Sequence, residues 1–316
     1  MNLASSLLLL YGSVVAVLGP PVLRRLTRAG TAPRLGVLAW VVTVISALVA
    51  WTASAALFVI EFATVWRHCD EALRACYAVF GTPVHPYDHT VGKVVTFGLA
   101  VVIAAGIGTF TWRTVCALKA MRQRTRAHAK AVRMVGRRVP GLGAVVLDAP
   151  QPQAYAVPGK PDTIVVTSGA LEALSGDQLA AVLAHERAHL SGRHGALTAA
   201  LSGIATTAPR LGVFRHGAAE VGKLLEMCAD DTAARAHGRE PLLGGLLAIV
   251  DAGARTPAGA LGAAGTAVLA RAERLVAPVG ALRLATTRTA LLGVIVTTLG
   301  GFLLATACVL FCVSIF

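Results

Sequence analysis

The sequence predicts an α-helical membrane protein of about four transmembrane helices carrying one α+β domain outside the bilayer. Hydrophobic residues make up 55% of the 316 residues and charged residues only 14%, with a mean hydropathy of +0.68. Soluble domains carry about a quarter charged residues. The apolar residues gather into four runs, approximately 3–23, 35–60, 93–112 and 290–313. Each reaches the roughly 20 residues needed to cross a hydrocarbon core. Between the third and fourth runs, short β-branched segments give way to helical patterns. The expected organisation is three spans in 1–112 with an external loop at 61–92, a domain in 113–288 and a fourth span in 289–316.

The first run, "MNLASSLLLLYGSVVAVLGPPV", has no basic residue ahead of it and is long for a signal peptide, so it is read as a span. Basic residues retained on cytoplasmic flanks set the orientation. Arg24, Arg25, Arg28 and Arg34 follow the first run, and nine Lys or Arg with no acid fill 113–140. The 61–92 loop holds Glu61, Asp70, Glu71 and Asp88 against Arg67 and Arg74. The expectation is a multi-pass protein of the cell membrane, its large domain cytoplasmic and both termini outside. The net charge of +13 is then explained by anionic headgroups rather than nucleic acid, since no recognition helix or aromatic interleaving accompanies it. Cys69 and Cys76 lie where a disulfide is permitted, provided that they are off a regular helix. His68, His85 and His89 are read as solvated.

Residues 113–138 form a basic, Ala-rich helix ended by Pro140 and the Gly141–Gly143 pair. "AVVLD" (144–148), "AYAV" (154–157) and "TIVVTSG" (163–169) read as strands of a small sheet. Ser175 and Gln178 have capping-box spacing, which starts a helix near 176. A second helix is expected at about 218–237, and the Gly/Ala-rich 251–266 reads as a loop. The apolar 195–214 contains Thr, Gly, Pro and Arg and is read as buried or grazing the membrane rather than crossing it.

Within the first of these helices stands "VLAHERAHLSGRH". His185 and His189, four residues apart, present both imidazoles on one helical face, with Glu186 beside the open metal position. Imidazole and carboxylate donors suit Zn2+, one per chain, and the arrangement is suited to amide hydrolysis with Glu186 taking the proton from water. Glu226 and Asp230, also four apart, supply a third ligand and a carboxylate to fix a histidine tautomer. Glu172, Glu220, Asp231 and Glu240 lack that paired spacing. Position 195, where an extended HExxHxxGxxH motif would place a histidine, is Gly. His194 is therefore kept as a substrate or oxyanion contact, and His216 and His237 are lesser candidates.

From 151 to 250 the chain resembles the integral-membrane gluzincin metallopeptidases: the HtpX-like and CAAX-prenyl-protease group and the related BlaR/MecR antirepressor peptidases. The matching pieces are "QAYAV", "TIVVTSGALEALSGDQLAAVLAHERAHLSGRH", "EMCADDTAARAHG" and "REPLLGGLLAIV". The resemblance implies a cytoplasmic zincin-like metallopeptidase domain with zinc ligands His185, His189 and Glu226, general base Glu186 and supporting carboxylate Asp230. His189 and Glu226 are only 37 residues apart, too close for the two intervening spans of the HtpX plan, which favours the BlaR-like plan. The sequence departs from the antibiotic-sensing members in ending at Phe316 without a penicillin-binding sensor, in lacking Ser-x-x-Lys, and in having Ala229 where those members have Cys. The resemblance implies a membrane endopeptidase that cleaves a cytoplasmic protein, such as a BlaI/MecI-like repressor, or itself. HtpX-like quality control and a non-catalytic signalling scaffold are the alternatives. The expected partners are the bilayer and the protein substrate, with no direct nucleic acid; a homodimer is left open.

Overall fold

The computed structural model describes the backbone of residues 3–80, 87–253, 261–277 and 279–315, and side chains for 5–60, 94, 97–251, 268–277 and 279–310. Three long helices come first: α1 (Leu3–Thr27), α2 (Pro33–Phe80) and α3 (Tyr87–Val135). Strands β1 (Arg137–Arg138), β2 (Val145–Leu147), β3 (Ala154–Val157) and β4 (Thr163–Thr167) follow. Then come α4 (Ser168–Ala173), α5 (Gly176–Ser191), α6 (His194–Thr207), α7 (Gly212–His237), α8 (Arg239–Gly253), α9 (Leu261–Val276) and α10 (Ala281–Ile315).

Among the described residues four helical stretches are long and apolar enough to cross a membrane: Ser5–Thr27, Pro33–Ile60, Phe97–Val135 and Ala281–Leu310. Their packing is uneven. Small residues let α1 and α2 approach closely, Gly12 meeting Trp51 and Gly19 meeting Thr43. Ser54 Oγ donates to the Ser5 carbonyl at 2.6 Å, and on α10 Thr298 O accepts from Tyr11 Oη at 2.6 Å. On α3, by contrast, Phe97, Val102 and Trp112 project outward and are more than half exposed, an apolar surface suited to a hydrocarbon solvent.

Helicity outlasts the apolar runs: α2 continues to Phe80 and α3 begins at Tyr87, so most of the expected 61–92 loop is helix, residues 81–86 lying outside the described set. Hydropathy reports the solvent a segment prefers, not where its backbone hydrogen bonds stop. Cys69 and Cys76 fall within α2, where seven residues of helix rise roughly 10 Å, beyond the Cα spacing of a disulfide. His85 lies outside the described residues. Likewise the expected 251–266 loop is helical at both ends, in α8 and α9, with 254–260 outside the described set.

The sheet has strand order β1-β2-β4-β3, with β2 and β4 parallel and the outer pairs antiparallel. β4, buried at every residue, is sandwiched. One side meets Ala170, Leu174, Val182 and Leu183 of α4, α5 and the turn between them. The other meets Ala129 and Val132 near the end of α3. β3 is an edge strand, and it lies against α5.

The α5 N-terminus is fixed by a reciprocal capping box: Gln178 N donates to Ser175 Oγ at 3.4 Å, and Ser175 N donates to Gln178 Oε1 at 3.0 Å. Replacing Ser175 by Ala is expected to cost about 1 kcal/mol, read as a lowered thermal-unfolding midpoint in detergent. α7 starts six residues before the expected 218 because Val213, Phe214 and Gly217 are buried. With Trp40 and Val44 of α2, Leu23 of α1 and Leu291 of α10, the first half of α7 forms the largest apolar core. The part of the chain that carries the sheet and α5 is thus joined through α7 to the apolar helices. Gly238, with φ 89°, ends α7 in a conformation that favours glycine.

α6 covers most of 195–214. It is not among the membrane-length helices, and it buries Leu201 and Gly203 in contact with α3 and α7.

Candidate metal centre

α5 and α7 cross with alanines at their contact: Ala181, Ala229 and Ala233 are fully buried, so the two backbones approach closely. That crossing brings the two i,i+4 pairs face to face. His185 Nε2 and His189 Nε2 lie 3.1 Å apart. Glu226 faces both, with Oε2 at 3.5 Å from His185 Nε2 and Oε1 at 3.4 Å from His189 Nε2. A tetrahedral ion with bonds of about 2.0–2.1 Å requires ligand atoms about 3.3 Å apart. The three donors form a triangle of nearly that size, and their chemistry, two imidazoles and a carboxylate, suits a divalent metal such as zinc.

Each histidine is held from behind. Asp230, completely buried, places Oδ1 at 3.1 Å from His185 Nδ1. That nitrogen is itself buried and lacks a well-aligned hydrogen bond. His194 Nδ1 lies 3.1 Å from His189 Nδ1, and the rings meet edge to face at 88°. Had α5 continued, His194 would be carried about 140° around the helix from His189, from 3.6 residues per turn. Instead the chain turns at Arg193, whose φ of 51° and ψ of 34° are left-handed, a conformation that costs a non-glycine residue about 1–2 kcal/mol. At the neighbouring Gly192, a Cβ would collide with the His194 ring. The turn thus brings His194 against His189 while leaving it on the wall of the cleft. Replacing His194 by Ala is expected to weaken zinc binding by about ten-fold, measured by chelator competition.

Glu186, half-buried beside the triad, accepts a hydrogen bond from the Ala156 amide of β3. Burial pushes its carboxyl up to about 7. His189 is pushed down by burial to about 4 and is neutral at ordinary pH. For His185 burial acts downward, but the carboxylates of Asp230 and Glu226 override it and raise the value to about 9. This describes the site without an ion; a metal must displace that proton to reach Nε2. Burial works against ionised Glu226, yet His185 and the Arg271 charge hold it below the usual carboxylate range. Burial is overridden at Asp230 too, held at about 2 chiefly by the hydrogen bonds from Arg271 and by the His185 ring close against it.

Arg271 has no counterpart in the sequence reading. Its Nε donates to Asp230 Oδ2 at 2.8 Å and its Nη2 to Oδ1 at 2.6 Å, while Nη1 lies 3.1 Å from Glu226 Oε2. One guanidinium from α9 thereby ties the candidate third ligand to the carboxylate behind His185. No motif spacing marks it, and 41 residues separate it from Asp230. His216, His237 and the acids Glu172, Glu220, Asp231 and Glu240 take no part in the triad. Asp231 instead pairs with Arg274 at 2.6 Å, and Arg274 Nε donates to the Gly30 carbonyl between α1 and α2 at 2.8 Å.

A cavity of about 520 Å³ opens at the triad, walled by His189, His194, Glu226 and Arg271 and by Met121 and Thr125 of α3. The site therefore combines three converging metal donors, a half-buried carboxylate beside them, an edge strand and an apolar cleft. No solved structure matches the chain. Residues 119–250, which contain all of these groups except Arg271, match the family model described as peptidase family M48, and that match supports a zincin-like metallopeptidase domain.

Proposed function

We propose that the protein is a membrane-anchored zinc endopeptidase whose catalytic domain faces the cytoplasm. The observation that carries this reading is the convergence of His185, His189 and Glu226 beside Glu186, inside the segment matching a metallopeptidase family. Zinc held by His185, His189 and Glu226 would supply Lewis acidity toward a peptide carbonyl and lower the pKa of nearby water. Glu186 then accepts the proton of the attacking water and returns it to the leaving amine. The Ala156 amide fixes the Glu186 carboxylate on the side of β3. β3 receives an extended peptide by backbone pairing, and the cleft between α3, α6 and α7 takes an apolar side chain. Asp230 and His194 hold the two ligand imidazoles, and Arg271 holds Asp230 and Glu226.

For the substrate, the absence of a membrane-length helix between His189 and Glu226 among the described residues supports the BlaR-like plan. The substrate is then a cytoplasmic protein such as a BlaI-like repressor, with self-cleavage as a second event, and signals reach the site through the α2–α7 core. Ala229 in place of Cys favours a second reading, HtpX-like quality control of membrane proteins. Basic residues at 24–34 and 113–140 support the cytoplasmic placement.

The test is metal analysis of the purified full chain with chelator-sensitive cleavage of itself and of a casein-like reporter. About one zinc per chain with cleavage lost on chelation is expected. A chain that takes up no zinc overturns the reading in favour of a scaffold. Deleting the gene separates the substrates: derepression of one gene set for the BlaR-like reading, general accumulation of damaged membrane proteins for the other.

A further inference from the structure

We infer a second binding site, for the phosphate-bearing headgroup of an anionic phospholipid, between the end of α1 and helices α7 and α9. A cavity of about 1230 Å³ lies there, lined by Arg24 and Arg25 of α1, Arg28 of the turn that follows it, Glu220 and Lys223 of α7 and Glu273 of α9. Lys223 pairs with Glu220 at 2.9 Å. No ion pair holds Arg24, Arg25 or Arg28 among the described residues, and all three are exposed. Four cations against two carboxylates leave an excess of two positive charges. Three arginines facing one cavity offer the forked donors that suit phosphate oxygens.

The apolar wall identifies the phosphate's source. Pro21 and Val22 line the same cavity, and Leu18 and Val17, 59% and 69% exposed, continue outward along α1. α1 is one of the membrane-length helices, and the arginines stand at its end. A phospholipid matches both parts, its acyl chains on the α1 strip and its headgroup among the arginines. A free phosphate or a soluble anion has no use for the strip. The site also touches the catalytic region: Lys223, Met227 and Ala270 line both this cavity and the cleft at the triad. A bound headgroup therefore sits about one helical turn from Glu226 on α7. The inference rests on α1 lying in a bilayer and not on peptidase activity.

The experiment reconstitutes the full chain in phosphatidylcholine nanodiscs doped with phosphatidylglycerol, then counts lipid retained per chain by native mass spectrometry. Zinc content is measured in parallel. Wild type is expected to retain phosphatidylglycerol selectively, and millimolar inorganic phosphate to leave it in place. The variant Arg24→Gln/Arg25→Gln/Arg28→Gln is expected to bind it roughly 100-fold more weakly, at about five-fold per arginine. Arg122→Gln/Arg124→Gln/Arg126→Gln, an equal charge change on the exposed side of α3, is expected to behave as wild type. Glu273→Lys is expected to bind more tightly, a gain that unfolding cannot mimic. Equal retention of phosphatidylcholine, equal loss in the α3 variant, or displacement by phosphate would each overturn the assignment, the last in favour of a free-anion site. Zinc content reports on the metal centre separately, so loss of one reading is distinguishable from loss of the other.

Discussion

Replacing Glu186 by Gln is expected to leave about one zinc per chain while reducing peptide cleavage by about 10²–10⁴-fold, the range that a positioned general base contributes. Gln has the same shape and keeps an oxygen for the Ala156 amide, so the strand contact and the cleft survive. What disappears is the capacity to take a proton. Because Glu186 lies outside the donor triad, the loss should fall on kcat, with KM for a reporter peptide nearly unchanged. Burial pushes the wild-type carboxyl up to about 7, and the basic form is the ionised one, present above that value and lost below it. A cation bound beside it shifts the balance back toward ionisation. The acid limb of the activity profile is therefore expected at or below about pH 7. A Gln variant as active as wild type would remove Glu186 from the chemistry. A variant that loses zinc as well would make it part of the metal site's framework.

The parts of this centre that the sequence foretells are those whose geometry is local. His185 and His189, Glu226 and Asp230, and the Ser175–Gln178 box are each three or four residues apart, a distance at which helical periodicity alone decides what shares a face. The crossing of α5 and α7 is less local, yet its alanines sit on the same faces as the site residues. His194 is a different case. Its place depends on the left-handed Arg193, and a non-glycine residue gives no warning of such a turn. Arg271 is invisible for a further reason: it follows the Gly/Ala-rich stretch in which α9 begins, and a contact across 41 residues leaves no period to detect. The long helices show the opposite error. Their apolar runs were legible because a long unbroken apolar stretch shows directly in the sequence, whereas their ends were not, because polar residues continue a helix as readily as they end one.

Removing either partner of the Asp230–Arg271 pair is expected to have the largest effect on stability. Asp230 is fully buried and the Arg271 side chain is 11% exposed, so neither charge can be solvated in the fold. Asp230→Ala leaves the guanidinium facing Glu226 alone, at an expected cost of about 3–5 kcal/mol. It also frees the His185 ring, which should weaken zinc binding by about 10–100-fold. Arg271→Met strands the Asp230 carboxylate instead. Its pKa is depressed to about 2 from the ordinary 3.8, so its contribution to stability is present above the unfolded value and lost as pH falls through about 2. Without Arg271 that depression shrinks, so the variant loses stability near neutral pH and its remaining stability changes less as pH falls from the unfolded value toward about 2. The two roles of the pair separate in the double variant Asp230→Leu/Arg271→Met, because an apolar pair of similar volume can replace a buried ion pair at little net cost. Thermal unfolding of the double variant should recover most of the stability lost in either single variant, while zinc competition should show affinity no better than that of Asp230→Ala. Recovery of both would mean that Asp230 does not position His185. Recovery of neither would mean that the two charges are not coupled to each other as their geometry requires.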